Sequence, residues 1–281
     1  MADLSVGVIG AGRMGSCHAV NVHRYVKGAR VAAIYDLDQA RAGQVAAECG
    51  SARAFQDPVQ LIQDVGVDAV VIASPDPTHA EFVHECLRHH KPVLCEKPLA
   101  TTAAEAQKLI EAEQALGRRL IAVGFSRRFD PRHAAVQNET RDMLLLQMVL
   151  SGECLATVEV SVAIEYGYEV SAEIVGERGT ALTMQPGLAL VRSREARSVA
   201  VSSDGLAYFQ EAYVSELTHW VHSVQTEQAF TGATAWDGYM SLLVSDACIQ
   251  SLHSGTPVPV STPAKPGFYQ ERELQGGAHV N

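Results

Sequence analysis

The sequence predicts an α/β protein: a doubly wound parallel sheet, followed by a smaller α/β domain with an open, mostly antiparallel sheet. Three observations carry this. Short apolar runs alternate with helical stretches over residues 4–125. A glycine-rich turn joins the first run directly to the first helical stretch. After about Phe129 the apolar residues recur with period two instead. The expected domains are 1–124 and 125–281.

The runs Leu4–Ile9, Arg30–Tyr35, Asp68–Ala73, Pro92–Cys95 and Leu120–Val123 are rich in Val and Ile. They read as strands buried on both faces. Between them Met14–Tyr25, Leu37–Glu48, Pro58–Asp64, Thr78–His90 and Thr102–Leu116 read as helices. The last opens on a capping box, Thr102 with Glu105, and stops at Gly117. Its Ala106, Leu109, Ile110 and Leu116 share one face. Such alternation builds a parallel sheet with right-handed crossovers.

In the second half Val158, Val160, Val162 and Ile164 alternate with Thr157, Glu159, Ser161 and Ala163. Leu144–Leu150, Glu169–Val175, Ala181–Met184, Leu188–Arg192 and Ser198–Val201 are further strand candidates. A helix carrying Phe209, Tyr213, Leu217, Trp220 and Val224 follows, then one over Trp236–Leu252 and an extended Pro- and Gly-rich tail. Leu144–Leu150 is apolar on both faces, so one face is expected against a second copy of the chain.

Composition narrows the function classes. At 47% hydrophobic and 19% charged residues, the 281-residue chain is neither disordered nor fibrous. No apolar stretch reaches the roughly 18 residues of a membrane helix. With 22 basic and 32 acidic residues the net charge is −10, which argues against nucleic-acid or anionic-lipid partners. The N-terminus lacks the basic and apolar regions of a signal peptide, and the six cysteines form no CxxC pair. Reduced thiols and a cytoplasmic location are expected.

Gly10-Ala11-Gly12-Arg13-Met14-Gly15 lies between the first strand and first helix. Gly10 permits the tight turn, Gly12 lets the backbone approach a pyrophosphate, and Gly15 allows close helix–strand packing. The helix N-terminus adds N–H donors and a favourable dipole. Asp36 ends the second strand 21 residues after Gly15, where a carboxylate accepts from an adenosine ribose. It repels a 2′-phosphate, so NAD is expected rather than NADP.

The fifth strand runs into Cys95-Glu96-Lys97-Pro98. Ligands of doubly wound sheets bind at the carboxyl ends of strands, which puts Lys97 at the cleft mouth. There it can stabilise a developing alkoxide or transfer a proton; the alternative is a solvated Lys before a turn-forming Pro. Ser74-Pro75-Asp76-Pro77-Thr78-His79 follows the fourth strand. It reads as a cofactor-lining loop that caps a helix, or as the cap alone, through Thr78 or Asp76.

The Gly10–Gly15 loop, Asp36, Ser74-Pro75-x-x-Thr78-His79-Ala80, Cys95-Glu96-Lys97-Pro98-Leu99-Ala100 and Gly124-Phe125-Ser126-Arg127-Arg128-Phe129-Asp130 occur in one order. Together they resemble the Gfo/Idh/MocA oxidoreductase family over nearly the whole chain. Arg127–Asp130 and Glu165-Tyr166-Gly167-Tyr168 are similar to stretches of its inositol 2-dehydrogenases. The resemblance implies a Rossmann domain and a second domain whose open sheet makes a dimer or tetramer. It implies that Lys97 touches the nicotinamide end and the reacting hydroxyl, with Glu96, Ser74, Pro75 and His79 near the cofactor. Arg127 and one of Tyr166 and Tyr168 would contact a polyol. No metal is implied.

One departure stands out. The family's Asp-x-x-x-His motif, whose His accepts the hydroxyl proton, has no counterpart here. Placing Asp142 at its start puts Leu146 at the His position, and Leu cannot take a proton. A segment near 133–142 is therefore read as missing. His133, the histidine near the break, follows a different local motif and reads as a loop residue. Glu216, His219 and His222 stand at helical spacing and read as a polar helix face rather than a metal site. His89-His90 ends a helix, where imidazole meets the dipole favourably.

The expected activity is oxidation of a secondary hydroxyl of an inositol-like polyol or sugar with NAD. The alternatives are a dinucleotide-binding homologue without catalysis and a dehydrogenase of another sugar.

Overall fold

The computed structural model describes residues 2–50, 52–129, 144–150, 154–160, 170–176, 179–182, 190–193, 196–199 and 205–270. The chain forms two compact units, Met1–Gly124 with His219–Asn281, and Phe125–Thr218.

The first unit alternates as the apolar runs require. In order come β1 (Leu4–Ile9), α1 (Arg13–Tyr25), β2 (Ala29–Tyr35), α2 (Gln39–Glu48), β3 (Arg53–Phe55), α3 (Pro58–Gln63), β4 (Ala69–Ile72), α4 (His79–Arg88), β5 (Val93–Glu96), α5 (Ala103–Leu116) and β6 (Ile121–Gly124). Every residue of β1, β4, β5 and β6 is buried, as expected for a parallel sheet covered on both faces. The strand order β6-β5-β4-β1-β2-β3 reverses between β4 and β1. That reversal is the switch point of a doubly wound sheet.

Helix caps follow the local chemistry. Asp38 accepts from the Ala40 and Arg41 amides to open α2, and Asp57 accepts from Val59 ahead of Pro58 to open α3. Thr102 accepts from the Glu105 amide, and Gly117 closes α5 at φ +66°. Thr78 stands at the start of α4, yet neither it nor Asp76 caps that helix through its side chain. The Thr78 hydroxyl turns back instead to Ser74 and the Pro75 carbonyl.

The end of the chain returns to this sheet. After β7 (Leu144–Val149), β8 (Leu155–Val160), β9 (Glu173–Gly176), β10 (Gly179–Leu182), β11 (Leu190–Ser193) and β12 (Ala196–Val199) come the short α6 (Gly205–Tyr208) and α7 (Gln210–Thr226). Then β13 (Ala233–Thr234) pairs antiparallel with β6, and α8 (Ala235–Ser254) packs on α5. Gly238 of α8 makes the close approach possible: a Cβ there would sit 2.9 Å from the Leu99 Cβ. Beyond α8 the tail docks through Tyr269, whose hydroxyl donates to Glu113 Oε2 at 2.6 Å. Arg119 holds the carbonyl of neighbouring Phe268 at 2.6 Å.

In the second unit the described strands form antiparallel pairs, β7 with β8, β9 with β10 and β11 with β12. Its core includes Tyr208, Phe209 and Ala212, with Phe129, Val170 and Tyr213 packed against them. Glu216 departs from its expected place on a polar face. It is fully buried, because it sits one turn after buried Ala212 and beside buried Leu217; His219 and His222 are exposed as expected.

Candidate active site

The glycine loop lies where β1 meets α1, beside the switch point. Gly10 has φ +94°, which only glycine adopts readily, and a Cβ there would overlap the Ala73 carbonyl at the end of β4. A Cβ on Gly15 would overlap the Gly10 carbonyl, so α1 can start this close to β1 only with glycine at 15. Gly12 differs. Among the described residues nothing lies within 4 Å of its hypothetical Cβ. The open space stands at the N-terminus of α1, where amides without helical partners favour an anion. Arg13 is exposed there and Met14 half-buried. This is the cradle a pyrophosphate requires.

Asp36 ends β2 with its side chain buried, and its carboxylate is well supplied. Oδ2 accepts from the Ala11 amide at 2.6 Å; Oδ1 accepts from the Asp38 amide at 2.8 Å and from Arg41 Nη2 at 2.7 Å. Burial alone would raise its pKa. The Arg41 hydrogen bond and the two amides outweigh that and hold the carboxyl below its usual range. Asp36 is thus ionised at neutral pH and bonded directly to the loop that would hold the phosphates.

After β4, Ser74 Oγ and Thr78 Oγ1 share a hydrogen bond at 2.7 Å, and Pro75 is exposed. His79 is buried. Its Nε2 meets the Ser74 carbonyl at 2.8 Å and its Nδ1 the Pro98 carbonyl at 2.7 Å. The ring therefore ties the loop after β4 to the loop after β5, one residue from Lys97.

At the end of β5 the structure adds a residue that sequence reasoning missed. His18, fully buried on α1, meets Glu96 Oε1 at 2.7 Å; Glu96 Oε2 accepts from the Lys97 amide at 3.2 Å. The helix that opens on the glycine loop is thereby linked to the backbone of Lys97, whose side chain is exposed. The peptide bond between Lys97 and Pro98 is cis. A weak signal existed: His18 shares the buried side of α1 with Gly15, Ala19, Asn21 and Val22, and a buried polar residue needs a partner. Cys95, next to Glu96, is no nucleophile at neutral pH, since burial raises its thiol pKa well above the ordinary value.

The structure therefore brings Gly10, Gly12, Arg13, Met14, Gly15, Asp36, Ser74, Pro75, His79, Glu96 and Lys97 to the carboxyl edge of one sheet. Arg127 lies in the 3₁₀ turn Ser126–Phe129 that follows β6. Tyr166, Tyr168, His133 and the break near 133–142 lie outside the described residues.

Comparison with known proteins agrees with this geometry. Residues 4–125 match the family model described as the oxidoreductase family NAD-binding Rossmann fold. Residues 119–260 match that family's C-terminal alpha/beta domain. The chain belongs to the Gfo/Idh/MocA oxidoreductase family. Its first domain is the family's NAD-binding domain, and the open cradle over Gly12 and the ionised Asp36 fit that cofactor. Inositol 2-dehydrogenase of Rubrobacter xylanophilus is 40% identical, covering 95% of this chain and 96% of the relative. Inositol 2-dehydrogenase 1 of Saccharopolyspora erythraea is 37% identical, covering 94% and 98%. Myo-inositol dehydrogenase of Lactobacillus casei, solved with NAD(H) and myo-inositol, superimposes with a TM-score of 0.88 at 25% identity, covering 95% of this chain and 100% of that one. The Rubrobacter alignment runs over 334 positions, against 281 residues in this whole chain. At least 53 of its positions (334 less 281) thus have no residue here.

Proposed function

We propose that this protein oxidises a secondary hydroxyl of an inositol-like polyol to a ketone, using NAD. The observation that carries the reading is Lys97, set at the end of β5 in the same sheet edge as the glycine loop and tied to α1 through Glu96 and His18. The relatives named as inositol dehydrogenases support the substrate class.

When bound, NAD supplies the hydride acceptor. The loop amides and the N-terminus of α1 hold the pyrophosphate, and Asp36 accepts from the adenosine ribose. Ser74, Pro75 and Glu96 line the cofactor, while His79 fixes the two loops beside it. Lys97, as the neutral amine, accepts the proton of the reacting hydroxyl; the ammonium so formed hydrogen-bonds the forming carbonyl oxygen and then returns the proton to solvent. Arg127 and Tyr166 or Tyr168 orient the ring.

We place the absent residues near 133–142, where the Asp-x-x-x-His motif is expected, so Lys97 carries proton transfer without a histidine acceptor. The excess of alignment positions also favours a second reading, a homologue that binds the dinucleotide but turns over slowly or not at all. The exposed Val149, Leu155, Ile174 and Val175 support self-association through the sheet of the second unit. The six scattered cysteines, with no CxxC pair, support a reducing compartment, the cytoplasm.

NADH formation across a panel of inositols and sugars tests the reading. Turnover of an inositol is expected, and Lys97→Ala should lower kcat by about 10²-fold or more while NAD affinity stays within about twofold. NAD binding without turnover on any member of the panel establishes the second reading. Full activity in Lys97→Ala removes the role given to that residue.

A further inference from the structure

The ribose subsite holds a residue that no motif assigns. An ionised carboxylate offers about four acceptor directions, two on each oxygen. On Asp36 three are taken: one on Oδ2 by the Ala11 amide, and two on Oδ1 by the Asp38 amide and Arg41 Nη2. Among the described residues one direction remains open, on Oδ2. A ribose diol that donates from both hydroxyls needs two.

The three occupants differ in freedom. Ala11 lies in the glycine loop, with Gly10 bonded to the Tyr35 carbonyl and the Ala11 carbonyl bonded to Ser16 Oγ. Asp38 is the N-cap of α2, and the Gln39 side chain ties the same turn back to the Asp36 carbonyl. Both amides are main chain and cannot leave. Arg41 is a long side chain on the first turn of α2, 48% exposed. It is the occupant that can leave.

We propose that Arg41 is a specificity-determining residue that competes with the adenosine ribose for Asp36. Binding of the dinucleotide displaces its guanidinium from Oδ1, so NAD affinity is held below what the site allows. The displaced guanidinium stays within a side chain's reach of the 2′ position. There it attracts a 2′-phosphate that Asp36 alone would repel. Arg41 therefore weakens NAD and strengthens NADP, narrowing the preference between them. This rests on the NAD-binding assignment and not on the polyol reading.

Calorimetric titration of wild type, Arg41→Gln and Arg41→Met with NAD and with NADP tests it. The Met variant keeps the aliphatic stem and lacks any donor. Both variants should bind NAD about three- to fivefold more tightly, the range a partly exposed ion pair allows, and NADP more weakly. The gain for NAD should shrink at high salt, where the Arg41–Asp36 pair of the wild type is already screened. NAD affinity unchanged or reduced in both variants, with wild type binding NAD, overturns the inference alone. A wild type that binds no NAD overturns the cofactor assignment and this inference with it. Apo melting curves keep the variants comparable.

Discussion

Tyr269→Phe isolates one buried hydrogen bond that locks the tail onto the first unit. Phe keeps the ring against Trp236 and Phe268, so packing is preserved and the hydroxyl alone is lost. Glu113, fully buried, keeps the amides of Leu120 and Ile121 on Oε1, at 2.7 and 2.6 Å, and loses the donor on Oε2. A hydrogen bond to a charged acceptor contributes about 1.5–3 kcal/mol. The abandoned oxygen is buried away from solvent, so a loss of about 2–3 kcal/mol is expected. At about 2–4 °C per kcal/mol for a protein of this size, melting should fall by roughly 4–12 °C.

The loss should also depend on pH. Burial raises the Glu113 carboxyl above its ordinary value of 4.5, and the Tyr269 bond, the two amides and Arg119 only partly offset this. A raised carboxyl contributes stability that is fully present below the unfolded value and is lost as pH rises through the folded one. Removing the Tyr269 donor raises Glu113 further. The cost of Tyr269→Phe should therefore be full above the raised Glu113 value and shrink as pH falls toward 4.5, where Glu113 is protonated. Thermal unfolding of both proteins across that range reads it. An unchanged melting temperature, or a cost equal at both ends, refutes the reasoning. The bond also supports the sheet, because Leu120 precedes β6 and Ile121 opens it.

Other substitutions probe the sheet edge and the second unit. His18→Ala should cost about 2–4 kcal/mol by stranding a buried carboxylate, and should lower kcat more than it raises the KM for NAD; His18→Gln, which can still donate, should recover part of both. Equal stability in wild type and His18→Ala would show that the pair does not hold Glu96. Gly12→Ala should leave apo melting within about 0.5 kcal/mol yet weaken NAD at least about tenfold, as its Cβ enters open space meant for the pyrophosphate. Gly15→Ala should instead cost about 2–3 kcal/mol in the apo protein, because its Cβ overlaps the Gly10 carbonyl; the reverse pattern in melting and titration would place the cofactor elsewhere. Leu155→Glu should shift the protein to a smaller species in light scattering with NAD affinity unchanged, and an unaltered mass would remove this face from the interface.

Much of the site was legible because its parts are local. Gly10, Gly12 and Gly15 each answer a backbone demand of one strand–turn–helix unit, and Asp36 and Lys97 are placed by being at strand ends. The same locality explains the misses. β3 has three residues, Arg53-Ala54-Phe55, and β13 has two, too short for any period to show. Glu216 was read from its polarity, whereas its burial follows from the inward turn of α7 on which it stands.

By itself, then, the sequence determined the alternation of the longer strands and helices, the glycine turn after β1, the carboxylate at the end of β2 and the lysine after β5, since each depends on residues adjacent along the chain. The tertiary structure decided the pairings. His18 meets Glu96 across 78 residues and Glu113 meets Tyr269 across 156, while β13 brings the chain back to β6. Arg41 on Asp36 spans only five residues, yet it too was decided by the folded chain, because the turn between β2 and α2 sets which side chain faces the carboxylate. Such contacts carry no period in the sequence. They are fixed when buried polar groups, brought together by packing, must find one another away from water.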